Sequence, residues 1–492
     1  MRQQSIMSNE PSNPAVKEVQ DNVEANRSTL IDFADKIWNL AELSLEENES
    51  SAMFVEALKE NGFNIDSVGT ANIPTAFTAS YGSGSPVIGV MTEYDALPGL
   101  GNEPVPEKTP RKDGNTSGHG CGHNLIGTGG LGAAIALKEW MEKNKIPGTL
   151  RVFGAAAEES EGAKIYMARD GVFDNLDACL HWHPLSVTTP WHARCAAVNM
   201  MLIDFEGKTA HAGAVPWEGR SALHAAELFA HGIALMREHL EPTARTHYVY
   251  TDGGLAPNVV VEHAQIKLFI RDVDRPHVEK TTEWVKQMAE GAAMATQTKS
   301  KALVFCGMHD LLPNKPLADR IYEHAVQIGL PEYTEEEQEF AKKCQESTGA
   351  KPTGMSDQIV PPFDTPPSLG GSTDVGEVSY MAPTMGMLVQ TCPAGNNVHT
   401  WQATALHGMS IGHKAMMMGA KTLASLGADL FTDADLLAAA RADFEERKGD
   451  YVFKTPLDPE MKRPMGLDGL DSNMHEGHDQ HLDHLARHVD ES

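Results

Sequence analysis

The spacing of apolar and polar positions changes several times along the chain, and each change marks an element. From Ala25 to Leu45, ANRSTLIDFADKIWNLAELSL, apolar residues recur at helical spacing. SSAMFVEALKENGFNI (50–65) reads as a second helix that Gly62 stops. SPVIGVMTEYDALPGLG (85–101) begins as a buried strand and ends in a loop rich in Pro and Gly. A helix (LGAAIALKEWMEKNK), a strand (GTLRVFGAAAEE), a helix (GAKIYMARDG) and a strand (DACLHWHP) follow in turn. Such alternation predicts an α/β layer with a mostly parallel sheet flanked by helices. Sheets of this kind place their chemistry at the C-terminal ends of strands.

The pattern then shifts. Long strand-like runs, CAAVNMMLIDFEGKTAHAG, THYVYTDGG, VVVEHAQIKLFIRD and KSKALVFCG, are interleaved with two amphipathic helices, SALHAAELFAHGIALMREHL and HVEKTTEWVKQMAEGAAMAT. This predicts a separate α+β unit at 195–312. It is inserted, because α/β text resumes at LADRIYEHAVQIG. The expected organisation is a discontinuous domain, 20–194 with 313–445, around that insertion. Residues 331–367, acidic and then rich in Pro and Ser, read as a loop or excursion. Residues 1–15 and the polar, His-rich 455–492 are expected to be disordered.

Composition narrows the function. The chain has 492 residues and a formal net charge of -28. Such an acidic surface repels phosphate backbones and anionic membranes, which argues against nucleic acid and membrane partners. No apolar run is long enough to span a bilayer, and the N-terminal stretch lacks the apolar core of a signal peptide. The six cysteines are scattered without a C-x-x-C pair. That pattern suits a reducing compartment, and the expected location is cytoplasmic.

Four clusters carry candidate chemistry. SGHGCGHN places Cys121 and His123 one glycine apart in a tight loop, ahead of a helix whose N-terminus favours a thiolate. Thiolate and neutral imidazole are good ligands for Zn²⁺. A lone C-x-H is commonly an accident, and His119 reads as a partner of a ligand or as no part of the site. AAAEESEG puts Glu158 and Glu159 after an apolar strand, where adjacent side chains point apart. One can hold metal while the other serves as base; alone, such a pair is usually a solvated loop. HWHP offers His183 beside Pro184, and GNNVHTWQ offers His399. Cys121, His123, Glu159, His183 and His399 together suffice for two adjacent ions sharing one bridge, with Glu158 as the base. That is the part list of metal-assisted hydrolysis.

Taken jointly, GHGCGHN, EES ahead of GAK, HWHP, GKTAHAG, PNVV and VHTW resemble the M20 peptidase family, and more narrowly the amidohydrolases of its subfamily D. The resemblance spans about residues 25–445. It implies a catalytic domain with two divalent ions in each protomer, Zn²⁺ or Mn²⁺ with Co²⁺ also suitable, and a lid domain that mediates homodimerisation. It makes Cys121, His123, Glu159, His183 and His399 ligands, with Cys121 the bridge, and Glu158 the general base. His211 matches a lid histidine that reaches a neighbouring protomer's site and stabilises an oxyanion. Asn258 and Arg271 match substrate-contacting lid positions; a strand-edge arginine on a solvated face is the plainer reading of the latter. Asn124 replaces a common aspartate and is shared with the aminobenzoyl-glutamate hydrolases of the subfamily. TEYDALP departs from the commoner M-D-A-L-P and retains Asp95, which is expected to orient a ligand histidine. The implied substrate is an N-acyl or N-aroyl amino acid, p-aminobenzoyl-glutamate fitting best. An A-type partner is a further implication.

Rival readings follow from the same residues. They are a family dipeptidase, a non-catalytic metal-binding protein working through His475, His478, His481, His484 and His488, and a thiol redox enzyme using Cys121. Intact Glu158 and His211 count against pure metal binding. The absence of a resolving cysteine nearby in sequence counts against redox chemistry.

Overall fold

A computed structural model describes residues 13–467. The first helix begins earlier than the spacing predicts. Asn13 caps Pro14–Ala25, its side chain accepting from the Ala15 N–H, and the chain then turns into a second helix, Arg27–Leu40. Proline at the first position fits because that N–H has no helical partner to lose.

Six strands come before residue 191: β1 (Asn64–Val68), β2 (Phe77–Ser83), β3 (Val87–Thr92), β4 (Gly148–Gly154), β5 (Ala178–Leu185) and β6 (Thr189–Pro190). The chain leaves through β7 (Arg194–Cys195) to form β8 (Ala197–Glu206), β9 (Arg245–Asp252), β10 (His263–Asp272) and β11 (Lys299–Met308). It returns as β12 (Ser368–Leu369) and β13 (Thr384–Gln390). The larger sheet runs β1-β2-β4-β3-β5-β13-β6. Its four central strands, β4, β3, β5 and β13, are parallel, while β1, β2 and β6 add antiparallel edges. The parallel strands read as nearly unbroken apolar runs because helices cover them.

Two long helices, His123–Asn144 and Ser410–Thr432, pack on each other and on these central strands. The glycines after His123 have a second use here besides turn geometry. At Gly129 a Cβ would lie 2.5 Å from Nε1 of Trp182, so only glycine lets the helix sit this close to β5. The indole N–H instead donates to Ile126 O.

The second sheet, β11-β8-β10-β9, is wholly antiparallel. Helices Ala222–Met236 and Arg275–Thr296 pack on it, and Phe205, Phe229, Ile266 and Val285 lie in a separate apolar core. Alternating burial along β10 fits a sheet covered on one face.

Two expectations are corrected. The acidic stretch after residue 331 contains a helix, Glu335–Ser347, whose start is a capping box between Thr334 and Glu337. The three glutamates there lie in the first turn, where the helix dipole favours them. Residues 455–467, expected to open the disordered tail, pack on the larger layer: Leu457, Met461 and Leu467 are buried. Their apolar side chains fall among polar ones without regular spacing, so periodicity missed them. The five tail histidines and residues 1–12 lie outside the described residues.

Candidate metal centre

The site forms where the C-terminal ends of the parallel strands meet two loops. Gly122, at φ 85°, turns the chain into the helix that starts at His123. This places Cys121 and His123 at the helix N-terminus beneath the ends of β3 and β5. Leu97 and Gly118 exchange backbone hydrogen bonds and pin the loop ahead of them.

His123 is fully buried, and its Nδ1 lies 2.8 Å from Oδ1 of Asp95. A carboxylate there fixes the tautomer and leaves Nε2 facing the cavity. His183 uses the other logic of the same kind. Its Nδ1 donates to Pro184 O at 2.6 Å, so Nε2 points inward, 3.2 Å from Cys121 Sγ. His399 takes a left-handed backbone, φ 62°, in the loop before the helix at Trp401, and its N–H donates to Gly120 O at 2.9 Å. Its Nε2 lies 3.3 Å from Oε2 of Glu159, at the more exposed rim of the cluster.

Glu158 and Glu159 do not diverge from a strand end as adjacent strand residues would. β4 ends at Gly154, and the pair lies on a turn that follows Ala157, itself left-handed at φ 56°. Both carboxylates converge on His123 Nε2, at 3.7 Å for Glu158 and 3.9 Å for Glu159.

The donor atoms fall into overlapping sets, each within 4.8 Å: Cys121, His123 and His183; Cys121, Glu159 and His399; His123, Glu158 and Glu159. Cys121, His123 and Glu159 each belong to two of them. His123 Nε2 and Glu159 Oε1 are buried and lack a hydrogen-bond partner. Buried polar atoms are rarely left so. Burial, reinforced by Glu93 and Glu159, pushes Glu158 well above the usual carboxylate range. Burial pushes Glu159 up to about 7, against the opposing pull of His123. Burial likewise raises the Cys121 thiol and brings His183 down to about 4. A cluster that disfavours its own anions, with unpartnered donors pointing at one another, fits divalent cations: positive charge relieves each strain at once.

Of the remaining predicted residues, His119 is no ligand. Its Nε2 lies 3.0 Å from Ile37 O, and burial lowers it to about 3. His211 and Asn258 sit together on the second sheet's loops, both exposed, through a bridge between His211 and Val259; neither belongs to the donor sets. Arg271, on β10, reaches out of the second sheet, and its Nη1 donates to Ser372 Oγ at 2.9 Å.

The sequence reading missed Glu93 and Lys164. Lys164 is fully buried between two carboxylates, 2.7 Å from Glu93 Oε1 and 2.6 Å from Asp374 Oδ1. Glu93 Oε2 in turn lies 3.6 Å from His123 Nε2. A glutamate two residues before Asp95, at the end of a buried strand, was the available signal. Glu47 was also missed: buried, it accepts from Thr75 Oγ1 and from Ala157 N–H, both at 2.8 Å.

Residues 89–426 match peptidase family M20/M25/M40. The chain is 35% identical to the B-type component of p-aminobenzoyl-glutamate hydrolase from Escherichia coli K12, over 89% of this chain and 96% of that protein. It is 27% identical to the human Xaa-Arg dipeptidase, over 85% of this chain and 89% of the relative. In three dimensions it resembles a Bacillus subtilis dinuclear metal-binding peptidase of the M20 family. That likeness has a TM-score of 0.55 and 17% identity, over 82% of this chain and 98% of the other. The chain therefore belongs to peptidase family M20/M25/M40 and is a metal-dependent hydrolase.

Proposed function

We propose that the protein cleaves the amide bond of an N-acyl or N-aroyl amino acid, p-aminobenzoyl-glutamate being the best candidate. The observation that carries this reading is the clustering of Cys121, His123, Glu159, His183 and His399 in overlapping donor sets, one of which brings Glu158 together with His123 and Glu159. The five would hold two divalent ions, Zn²⁺ or Mn²⁺, with Cys121 as the shared ligand. Such ions, when bound, supply Lewis acidity and lower the pKa of water.

The chain's own residues then divide the work. Glu158 takes a proton from the attacking water and returns it to the leaving amine. Asp95 and Pro184 O hold the two imidazoles in orientation. Arg271, half-buried and carrying a planar fork, suits a free amino-acid carboxylate. His211 is read as an oxyanion donor supplied to a second copy's site. Its exposure supports this, as does the exposure of Trp217 (70%) and Leu255 (94%) on the same unit, which suits a homodimer surface at 195–312. Similarity to the B-type component of a hydrolase also motivates testing an A-type partner. Among the described residues no helix is long and apolar enough to cross a membrane, and all six cysteines are free thiols, which favours a cytoplasmic setting.

The test is amino-acid release from a panel of N-acyl amino acids, with p-aminobenzoyl-glutamate and Xaa-Arg dipeptides included. Wild type and Glu158→Ala are compared after loading with Mn²⁺ or Zn²⁺. Turnover that disappears in the variant while metal stays bound supports the reading, and the best substrate separates amidohydrolase from dipeptidase. Equal turnover in both proteins removes Glu158 as the base. Absent turnover with metal bound, even after an A-type partner is added, sinks the amidohydrolase reading.

A further inference from the structure

After the last long helix, Ala434–Lys448, the chain crosses both layers as an irregular strap and, by residue 467, reaches the turn that carries Glu158 and Glu159. At its start Tyr451 OH donates to Glu279 Oε1, on a helix of the second sheet, at 3.1 Å. Asp458 then enters the bulge of β11 between Val304 and Cys306. Its carboxylate accepts from Val304 N–H at 2.6 Å and from Lys286 Nζ at 3.1 Å. Next, Arg169 Nη1 of the larger layer donates to Met461 O at 2.6 Å.

The strap ends on Glu161. The two oxygens of that carboxylate accept from Met465 N–H at 2.6 Å and from Gly466 N–H at 2.8 Å. Gly466 is also closely packed: a Cβ there would lie 2.7 Å from Leu45 Cδ1. Leu45 is flanked by Ser44, which donates to Asp95 Oδ2, and by Glu47, which accepts from Ala157 N–H. The same few residues of strap thus press on both sides of the turn 157–162. One side is gripped through Glu161, the other is backed by the segment that anchors Ala157 and Asp95.

The turn needs such support. It departs from regular structure with Ala157 at φ 56° and Gly162 at φ 64°. Left-handed backbone at a non-glycine residue persists only where its surroundings impose it. From the geometry we infer that Glu161 is a positioning residue and that strap residues 464–467 hold it. The carboxylates of Glu158 and Glu159 are thereby set by the same stretch of chain that docks on β11. The catalytic part of this inference rests on the reading of Glu158 as base and Glu159 as ligand; the structural part does not.

The experiment uses the full chain with Glu161→Ala, Glu161→Gln, Gly466→Pro and, as a control on the strap away from the turn, Glu460→Ala. Gly466→Pro removes one donor to Glu161 and also brings a ring carbon against Leu45, so it loosens both supports of the turn while leaving residues 157–162 themselves unchanged. Four quantities are read: kcat, KM, metal retention against a competing chelator, and amide exchange in peptides covering 155–163 and β8–β11. Glu161→Ala and Gly466→Pro are expected to lower kcat about tenfold with KM within about twofold, and to weaken metal retention by a similar factor. Exchange should quicken at 155–163 and stay unchanged in β8 and β10. Glu161→Gln, which keeps an acceptor oxygen, should recover part of the loss, and Glu460→Ala should match wild type. Unchanged metal retention and exchange in Gly466→Pro would overturn the inference. So would a loss in which exchange rises equally in the second sheet, since the strap would then only add general stability. If wild type turns over no amide, metal retention and exchange still decide the positioning claim, and only the proposed function falls.

Discussion

Asp95 joins two segments of the candidate metal centre: Oδ1 lies 2.8 Å from Nδ1 of His123, and Oδ2 accepts the backbone N–H of Glu159 at 2.9 Å. His123 and Glu159 are far apart in sequence, yet one buried carboxylate sets the ring of the first and the backbone of the second. Burial opposes ionisation of Asp95, but His123 and these hydrogen bonds bring it down to about 2. Asp95→Asn keeps the shape and loses the charge. Metal affinity is expected to fall about 10- to 100-fold, measured by chelator competition. An unchanged dissociation constant would remove Asp95 from the account.

Lys164 makes the next prediction. A fully buried ammonium between Glu93 and Asp374 leaves two uncompensated carboxylates when it is removed. Lys164→Met should destabilise the chain by about 3–5 kcal/mol in urea unfolding of the metal-free protein. The triple change Lys164→Met, Glu93→Gln, Asp374→Asn should recover much of that loss, because no buried charge is left unpaired. A single variant as stable as wild type would contradict the buried triad.

The triad also marks the limit of what sequence reading reaches. The candidate donor residues were legible because thiol, imidazole and carboxylate in GHGCGHN, EES, HWHP and VHTW are chemically conspicuous beside readable elements. Lys164 was not, since nothing in EGAK distinguishes a buried lysine from a solvated one at a helix start. Its partners Glu93 and Asp374 are 281 positions apart (374 − 93) and meet only through the order in which strands are laid into the sheet. The alternation of elements likewise predicts the parallel centre of the large sheet but not its edges. β2 lies beside β4 rather than beside β3, its neighbour in sequence, and periodicity is blind to that choice. The strap failed for a third reason: irregular chain held by scattered backbone and side-chain contacts has no side-chain period.

Glu47 predicts a pH dependence. Burial, reinforced by the Asp95 carboxylate, pushes it up to about 8. The folded chain then keeps a proton that the unfolded chain releases near about 4.3. The contribution of this group to stability is full below that pH and is lost as the pH rises towards about 8. Glu47→Gln, which can still accept from Ala157 N–H, cannot ionise. The metal-free variant should therefore match wild type in thermal unfolding near about pH 4 and exceed it near about pH 8.5. Parallel melting curves across that range would show that Glu47 does not carry the dependence.

The last prediction separates two uses of Arg271. Its Nη1 donates to Ser372 Oγ, which itself donates to Ala196 O, so the arginine is tied across the junction where the chain leaves for the second sheet. If Arg271 also clamps the substrate carboxylate, Arg271→Ala should raise KM by about tenfold or more, the value of a charge-assisted hydrogen bond at about 1.5–3 kcal/mol. Ser372→Ala removes the junction contact and leaves the guanidinium in place. It should leave KM near wild type, or lower it by freeing the fork for substrate. Should both variants raise KM alike, the arginine acts by holding the two layers together and the clamp is wrong. Replacing the substrate by its carboxamide sharpens the distinction. With a true clamp, wild type loses on the carboxamide what Arg271→Ala loses on the acid, and the variant no longer tells the two substrates apart.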